Sequence, residues 1–260
     1  VADLKARNSG KPVAARAPSA VVPGAEAARD AFAPLAWNEA PRIGILGDSG
    51  TGKTEAAQVL VSYYLDQVPG VAIVIDDKHT PARFKGQERR DVAELGRRPP
   101  AAEPRVIVIR GSILEGETVD AESVARFGWA LAARRRQVLI VYDELARAAD
   151  DYGMWLPGVT RVPAAFGQGR SIGISSIWST QSPQQVPRAA FEQSSVILCF
   201  RLAGMGLALL RRRDYLGGAD VERAIESLPG DDVPPAERGV FVLLRRGRPW
   251  DGRRYRFARR

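Results

Sequence analysis

Short aliphatic runs recur along the chain, each bounded by glycine, proline or charged residues. Arg42-Ile43-Gly44-Ile45-Leu46, Val71–Ile75, Arg105–Arg110, Gln137–Tyr142, Ile172–Ser179 and Val196–Phe200 are rich in Val and Ile and lack a steady polar face. Such runs predict strands buried on both sides, as in a parallel sheet. Between them the period changes. Ala56, Val59, Leu60 and Tyr63 recur at helical spacing after the first run, and Val124, Phe127, Gly128 and Leu131 do so over residues 121–135. Further helices are expected over Met205–Tyr215 and Val221–Leu228. Strands alternating with helices predict an α/β fold with a mainly parallel central sheet flanked by helices. Gly239–Leu244 and Trp250–Phe257, on either side of Gly247, predict a C-terminal β-hairpin. Residues 80–104 are charged and Pro-rich and read as surface loops, and residues 150–169 as a loop with at most a short helix. Residues 1–40 have no steady period. Pro12, Pro18, Pro23 and Pro34 interrupt an Ala-rich stretch that reads as an extended arm with a short helix near Ala25–Phe32. That arm lies on a neighbouring subunit or is an unattached tail. The expected organisation is an arm over 1–40 and one α/β domain over 41–260.

The chemistry concentrates where the first run ends. Gly47-Asp48-Ser49-Gly50-Thr51-Gly52-Lys53-Thr54 reads G-x-x-x-x-G-K-T, a phosphate-binding loop of the Walker A type. A strand precedes it and a helix follows, which is the context the motif requires. Its glycines let the backbone approach a phosphate, and the loop amides converge at a helix N-terminus where the dipole also favours an anion. Lys53 is expected to reach the β- and γ-phosphates of ATP, and the Thr54 hydroxyl to bind Mg²⁺. The run Val138–Tyr142 then ends in Asp143-Glu144, the Walker B pattern. Asp143 suits the Mg²⁺ shell, and Glu144 suits activation of the attacking water. Successive side chains at a strand end face opposite ways, so the two carboxylates can take separate roles. Gln181 follows the next run, where it can sense the γ-phosphate or belong to an ordinary turn before Pro183.

The formal net charge of +8 comes mostly from arginine, which suits a polyanionic partner such as nucleic acid. High Ala and Arg usage from genome composition would give the same balance. Arg134, Arg135 and Arg136 suit either a helix C-terminus or a DNA contact. Cys199 is the single cysteine, which excludes an internal disulfide, and its apolar neighbours predict a core position. No apolar run approaches the length of a bilayer span.

Several of these blocks occur in one order: Gly47–Thr54, Ile75-Asp76-Asp77-Lys78, Asp143-Glu144, Gly169-Arg170-Ser171-Ile172-Gly173-Ile174, Ser179-Thr180-Gln181-Ser182-Pro183 and the closing hairpin. Together, from about Pro41 onward, they resemble the FtsK–HerA superfamily of P-loop ATPases. Asp77 stands where that family commonly has proline. The resemblance implies a RecA-like (ASCE) P-loop NTPase core, Mg²⁺-dependent ATP hydrolysis coupled to translocation of double-stranded DNA, and a homo-oligomeric ring of six. It also implies an arginine supplied in trans to a neighbour's site, with Arg170 the first candidate and Arg201 the second. No winged-helix domain or membrane-spanning segment is visible. The compact form is most similar to the genome-packaging ATPases of membrane-containing viruses. That likeness implies capsid or membrane-vertex partners and a place in the host cytoplasm or the virion. A HerA-type or plasmid-transfer motor, or a nucleotide-gated assembly switch, is the alternative. A small-molecule kinase fits the Gln181 block and the Arg-rich C-terminus poorly.

Overall fold

The structure is a computed structural model of the 260-residue chain. It describes residues 21–22, 40–76, 84–89, 92, 105–110, 119–134, 136–150, 153–213, 215, 218–245 and 247–257. In chain order the elements are β1 (Val21–Val22), β2 (Arg42–Leu46), α1 (Lys53–Gln67), β3 (Val71–Ile75), β4 (Gln87–Arg89), β5 (Val106–Ile109) and α2 (Ala121–Ala133). They continue with β6 (Val138–Tyr142), α3 (Arg161–Gly167), β7 (Ile174–Thr180), α4 (Arg188–Gln193), β8 (Val196–Cys199), α5 (Met205–Arg212), α6 (Ala219–Glu226), β9 (Val240–Leu244) and β10 (Arg254–Arg256).

One sheet runs in the order β1-β10-β9-β8-β2-β7-β6-β3-β5-β4. From β8 to β4 every pairing is parallel. The hairpin adds β9 antiparallel to β8, and β10 antiparallel to β9. The core is α/β and RecA-like, as the sequence predicts. Strands β2, β3, β6, β7, β8 and β9 are buried along their whole length, which explains their unbroken apolar runs.

Side chains alternate between two cores. On one face Ile43, Ile45, Val74, Leu139 and Val141 pack with Ala56, Ala57, Leu60 and Tyr64 of α1, and with Phe241, Tyr255 and Phe257 near the C-terminus. On the other, Ile73, Ile75, Ile140 and Tyr142 pack with Val124 of α2, Phe166 of α3, Phe191 of α4, Leu210 of α5 and Ile225 of α6. Each such aliphatic or aromatic side chain contributes about 1.5–3 kcal/mol of transfer free energy.

Several expectations are corrected in detail. Helix α1 buries Lys53, Ala56, Ala57, Leu60, Val61 and Tyr64, whereas Val59 and Tyr63 are half-buried. Positions 53, 57, 60 and 64 form one helical face, so the inward lysine at the helix start fixes the rotation of everything after it. Helix α2 likewise buries Val124, Ala125, Gly128 and Ala132, while Phe127 and Leu131 lie at the margin. Gly128 brings α2 against the sheet, since a β-carbon there would stand 2.8 Å from Ile140 Cδ1. Strand β7 begins at Ile174 because Gly169–Ile172 form a 3₁₀ turn closed by Gly173. The charged stretch 80–104 contains β4, a polar edge strand paired with β5.

Val21 and Val22 of the arm pair in parallel with Arg254 and Tyr255 of the same chain. The rest of residues 1–39, with the helix expected near Ala25–Phe32, lies outside the described residues, as do Asp77 and Lys78. Among the described residues, no helix is long and apolar enough to cross a membrane.

Candidate nucleotide site

The register brings four chain segments to one end of the sheet. Leu46 is level with Thr180 on one side and Cys199 on the other, and Tyr142 is level with Trp178. The loops after β2, β6, β7 and β8 therefore leave the carboxyl edge together, where open α/β sheets bind ligands. Strand β7 lies between the strand that enters the glycine loop and the strand that carries Asp143.

The loop requires its glycines. Gly47 has φ 155°, and a β-carbon there would stand 2.6 Å from Phe200 Cβ. Gly52, at the start of α1, is left-handed with φ 106°. The loop is braced from three sides. Thr51 Oγ1 donates to Asp48 O at 2.8 Å, the Asp48 amide donates to Arg201 O at 2.9 Å, and the Gly239 amide donates to Thr51 O at 3.1 Å. Lys53 Nζ is buried and donates to Gly47 O at 2.7 Å and Asp48 O at 2.6 Å, so the ammonium sits inside the curve of the loop.

Thr54 Oγ1 donates to Asp143 Oδ1 at 3.2 Å. Both residues are buried, and they are joined across the sheet although 89 positions separate them in sequence. A hydroxyl and a carboxylate side by side at a phosphate loop fit the octahedral shell of Mg²⁺, which takes few protein oxygens and completes its shell with phosphate and water. Ser179, not anticipated from the sequence, holds this carboxylate. Its hydroxyl donates to Asp143 O at 2.6 Å and to Asp143 Oδ1 at 3.2 Å. The register reveals it: Ser179 is a polar residue in a fully buried strand, one step beyond the level of Tyr142.

Glu144 turns to the other face, as alternation requires. It lines a cavity of about 310 Å³ with Ile75, Val119, Ala121, Tyr142 and Arg147. Burial in this region raises the Tyr142 phenol well above its ordinary value, reinforced by the charge of Glu122. Gln181 is exposed one residue past β7, at the same end of the sheet as the loop.

The two arginines differ. Arg201 lies beside its own chain's loop, and its Nη1 forms an ion pair with Asp232 Oδ1 at 2.6 Å. Arg170 is exposed in the 3₁₀ turn before β7, at the amino edge of the sheet. There it neighbours Arg42, whose pKa falls to about 10, first through burial and then through the charge of Arg170.

No protein-family model and no curated protein matches this sequence. Solved structures do match the fold. The genome packaging NTPase B204 of Sulfolobus turreted icosahedral virus 2, in complex with AMPPCP, superposes with a TM-score of 0.59 at 12% identity, covering 80% of this chain and 92% of that one. The DNA-packaging ATPase B204 of Sulfolobus turreted icosahedral virus gives 0.57 at 13%, covering 79% and 92%. The pCW3 conjugation coupling protein TcpA, as a monomer with ATPγS, gives 0.53 at 16%, covering 85% of this chain and 61% of that one. The shared fold is that of P-loop ATPases.

Proposed function

We propose that this chain is an Mg²⁺-dependent ATPase that assembles into a homo-oligomeric ring of six and moves double-stranded DNA, packaging a viral genome into a preformed capsid. The observation that carries the catalytic half is the meeting of Thr54 and Asp143 beneath a braced glycine loop. Lys53 neutralises the β- and γ-phosphates, Thr54 and Asp143 hold the metal, and Glu144 orients the attacking water. Gln181 reports the state of the γ-phosphate from the tip of β7. The metal, when bound, offsets charge on the phosphoryl oxygens.

The trans role falls to Arg170. It lies exposed at the opposite edge of the sheet from its own loop, which supports a role at another subunit's site rather than its own. Arg201 is occupied by Asp232 beside its own loop and is the weaker candidate. The packaging role is supported by the likeness to B204, by the small size of the motor and by the net charge of +8. The likeness to TcpA favours a second reading, a plasmid-transfer translocase with the same motor.

The test is the steady-state ATPase rate per subunit against protein concentration, with and without double-stranded DNA, for wild type and Arg170→Ala. The expected rate climbs with concentration and with DNA, and falls by about 10³–10⁵-fold in the variant. A mutant with wild-type turnover moves the trans role to Arg201. A rate flat in concentration and indifferent to DNA replaces the motor by a nucleotide-gated assembly switch.

A further inference from the structure

The segment after α6 crosses the phosphate loop of its own chain. A β-carbon on Gly52 would stand 3.0 Å from Gly239 Cα, and one on Gly50 would stand 3.1 Å from Asp231 Cβ. Gly239 donates to Thr51 O, and Asp232 takes the ion pair with Arg201, so this strap is fastened at one end to the loop and at the other to the residue whose carbonyl braces it.

Arg238 organises the strap. Its Nε donates to Val233 O at 2.8 Å, and its Nη2 donates to Asp231 O. Those two bonds fix the plane of a half-buried guanidinium. The remaining nitrogen, Nη1, lies 3.5 Å from the position of a Gly50 β-carbon and is turned toward the loop. A guanidinium held by two of its nitrogens loses little further freedom when the third meets an anion, and Arg–phosphate hydrogen bonds are among the stronger ones.

We propose that Arg238 is a cis phosphate-binding arginine, whose Nη1 contacts the phosphate chain of the nucleotide on the Gly50 side of the loop. This rests on reading Gly47–Thr54 as a nucleotide site. Arg238 then complements Lys53 from the opposite side. Through Arg238, nucleotide occupancy is felt at the base of the C-terminal hairpin, because β9 begins immediately after Gly239.

Calorimetric titration of the full chain with ATPγS and Mg²⁺ tests this, using wild type, Lys53→Ala, Arg238→Ala, Arg238→Gln and Asp232→Ala. Arg238→Ala is expected to weaken binding by about tenfold or more, the scale of one charge-assisted hydrogen bond. Asp232→Ala, which loosens the strap but leaves the arginine, is expected to stay within about twofold. Wild-type affinity in Arg238→Ala overturns the inference. So does an equal loss in Asp232→Ala, because the arginine would then act only by holding the strap. If Arg238→Ala does not fold, Arg238→Gln keeps a donor for the strap carbonyls, loses the charge and carries the same expectations. A wild type that does not bind ATPγS, or a Lys53→Ala that binds it normally, instead defeats the underlying reading of the loop.

Discussion

The two edges of the parallel sheet are built on opposite electrostatic terms. At the carboxyl edge, polar groups are matched: buried Lys53 to loop carbonyls, buried Thr54 and Ser179 to Asp143, and the more exposed Arg201 to Asp232. At the amino edge, Arg42 is 3% exposed, its Nε and Nη2 have no hydrogen-bond partner among the described residues, and its near neighbour in charge is Arg170. A buried, incompletely paired cation costs stability that a buried carboxylate–hydroxyl cluster does not. At one edge the Asp143 cluster is satisfied within a single chain. The other presents positive charge outward, as a surface that serves a neighbouring subunit's phosphates would.

Within a single chain, the largest expected effect lies at the matched edge. Glu144→Gln removes the carboxylate proposed as the base and leaves the loop, Thr54 and Asp143 intact. Turnover is expected to fall by about 10²–10⁴-fold, while ATPγS affinity stays near wild type. Single-turnover hydrolysis alongside equilibrium binding reads both. Undiminished turnover would remove Glu144 from its role, and would leave the cavity it shares with Tyr142 and Arg147 as a packing feature only.

A smaller effect of opposite sign is expected at the other edge. Arg42→Met keeps the unbranched apolar stem of the side chain and deletes the unmatched donors and the repulsion from Arg170. The isolated chain is expected to become more stable by about 1–3 kcal/mol in urea denaturation. If ring assembly supplies an acceptor to Arg42, the gain shrinks or reverses at concentrations where the ring forms. A variant that is destabilised at every concentration would show that the amino edge is already satisfied within one chain, and the contrast between the edges would fail.

The matched edge was legible in the sequence wherever chemistry is written locally. Eight consecutive residues specify the loop, and Asp143-Glu144 closes an apolar run. Contacts between distant segments were not legible. Ser179 reads as one more small residue in a strand until the register sets it level with Asp143. Residues 230–239 contain two aspartates and two prolines, and nothing local in them announces that Asp231 and Arg238 lie against Gly50. The face of α1 was misread because apolar residues occupy most of its circumference, so periodicity could not choose among them. Strand β4 was missed because an edge strand needs only backbone pairing with β5, and Gln87-Glu88-Arg89 carries no apolar signal.

Glu122 anchors the helix that leads toward the amino edge, and replacing it gives the smaller of the two predicted changes in stability. Its carboxylate accepts from the backbone amides of Thr160, Arg161 and Val162 and from Thr160 Oγ1, and it pairs with Arg126. It thus anchors the start of α3, the helix that leads through Gly167 into the turn bearing Arg170. Burial alone would raise its pKa, but the hydrogen bonds from Arg161, Thr160 and Val162 together hold it below the ordinary 4.5. The folded state therefore binds this proton less readily than the unfolded state. The stabilisation is complete above the ordinary value, and is lost as pH falls through the depressed one. Glu122→Gln is expected to cost about 1–2 kcal/mol at neutral pH. The gap from wild type should close in acid, below 4.5. Urea midpoints of both proteins across that range measure it. A gap that stays constant with pH would show that the glutamate acts through shape rather than charge. The turn holding Arg170 would then owe nothing to the anion that caps α3.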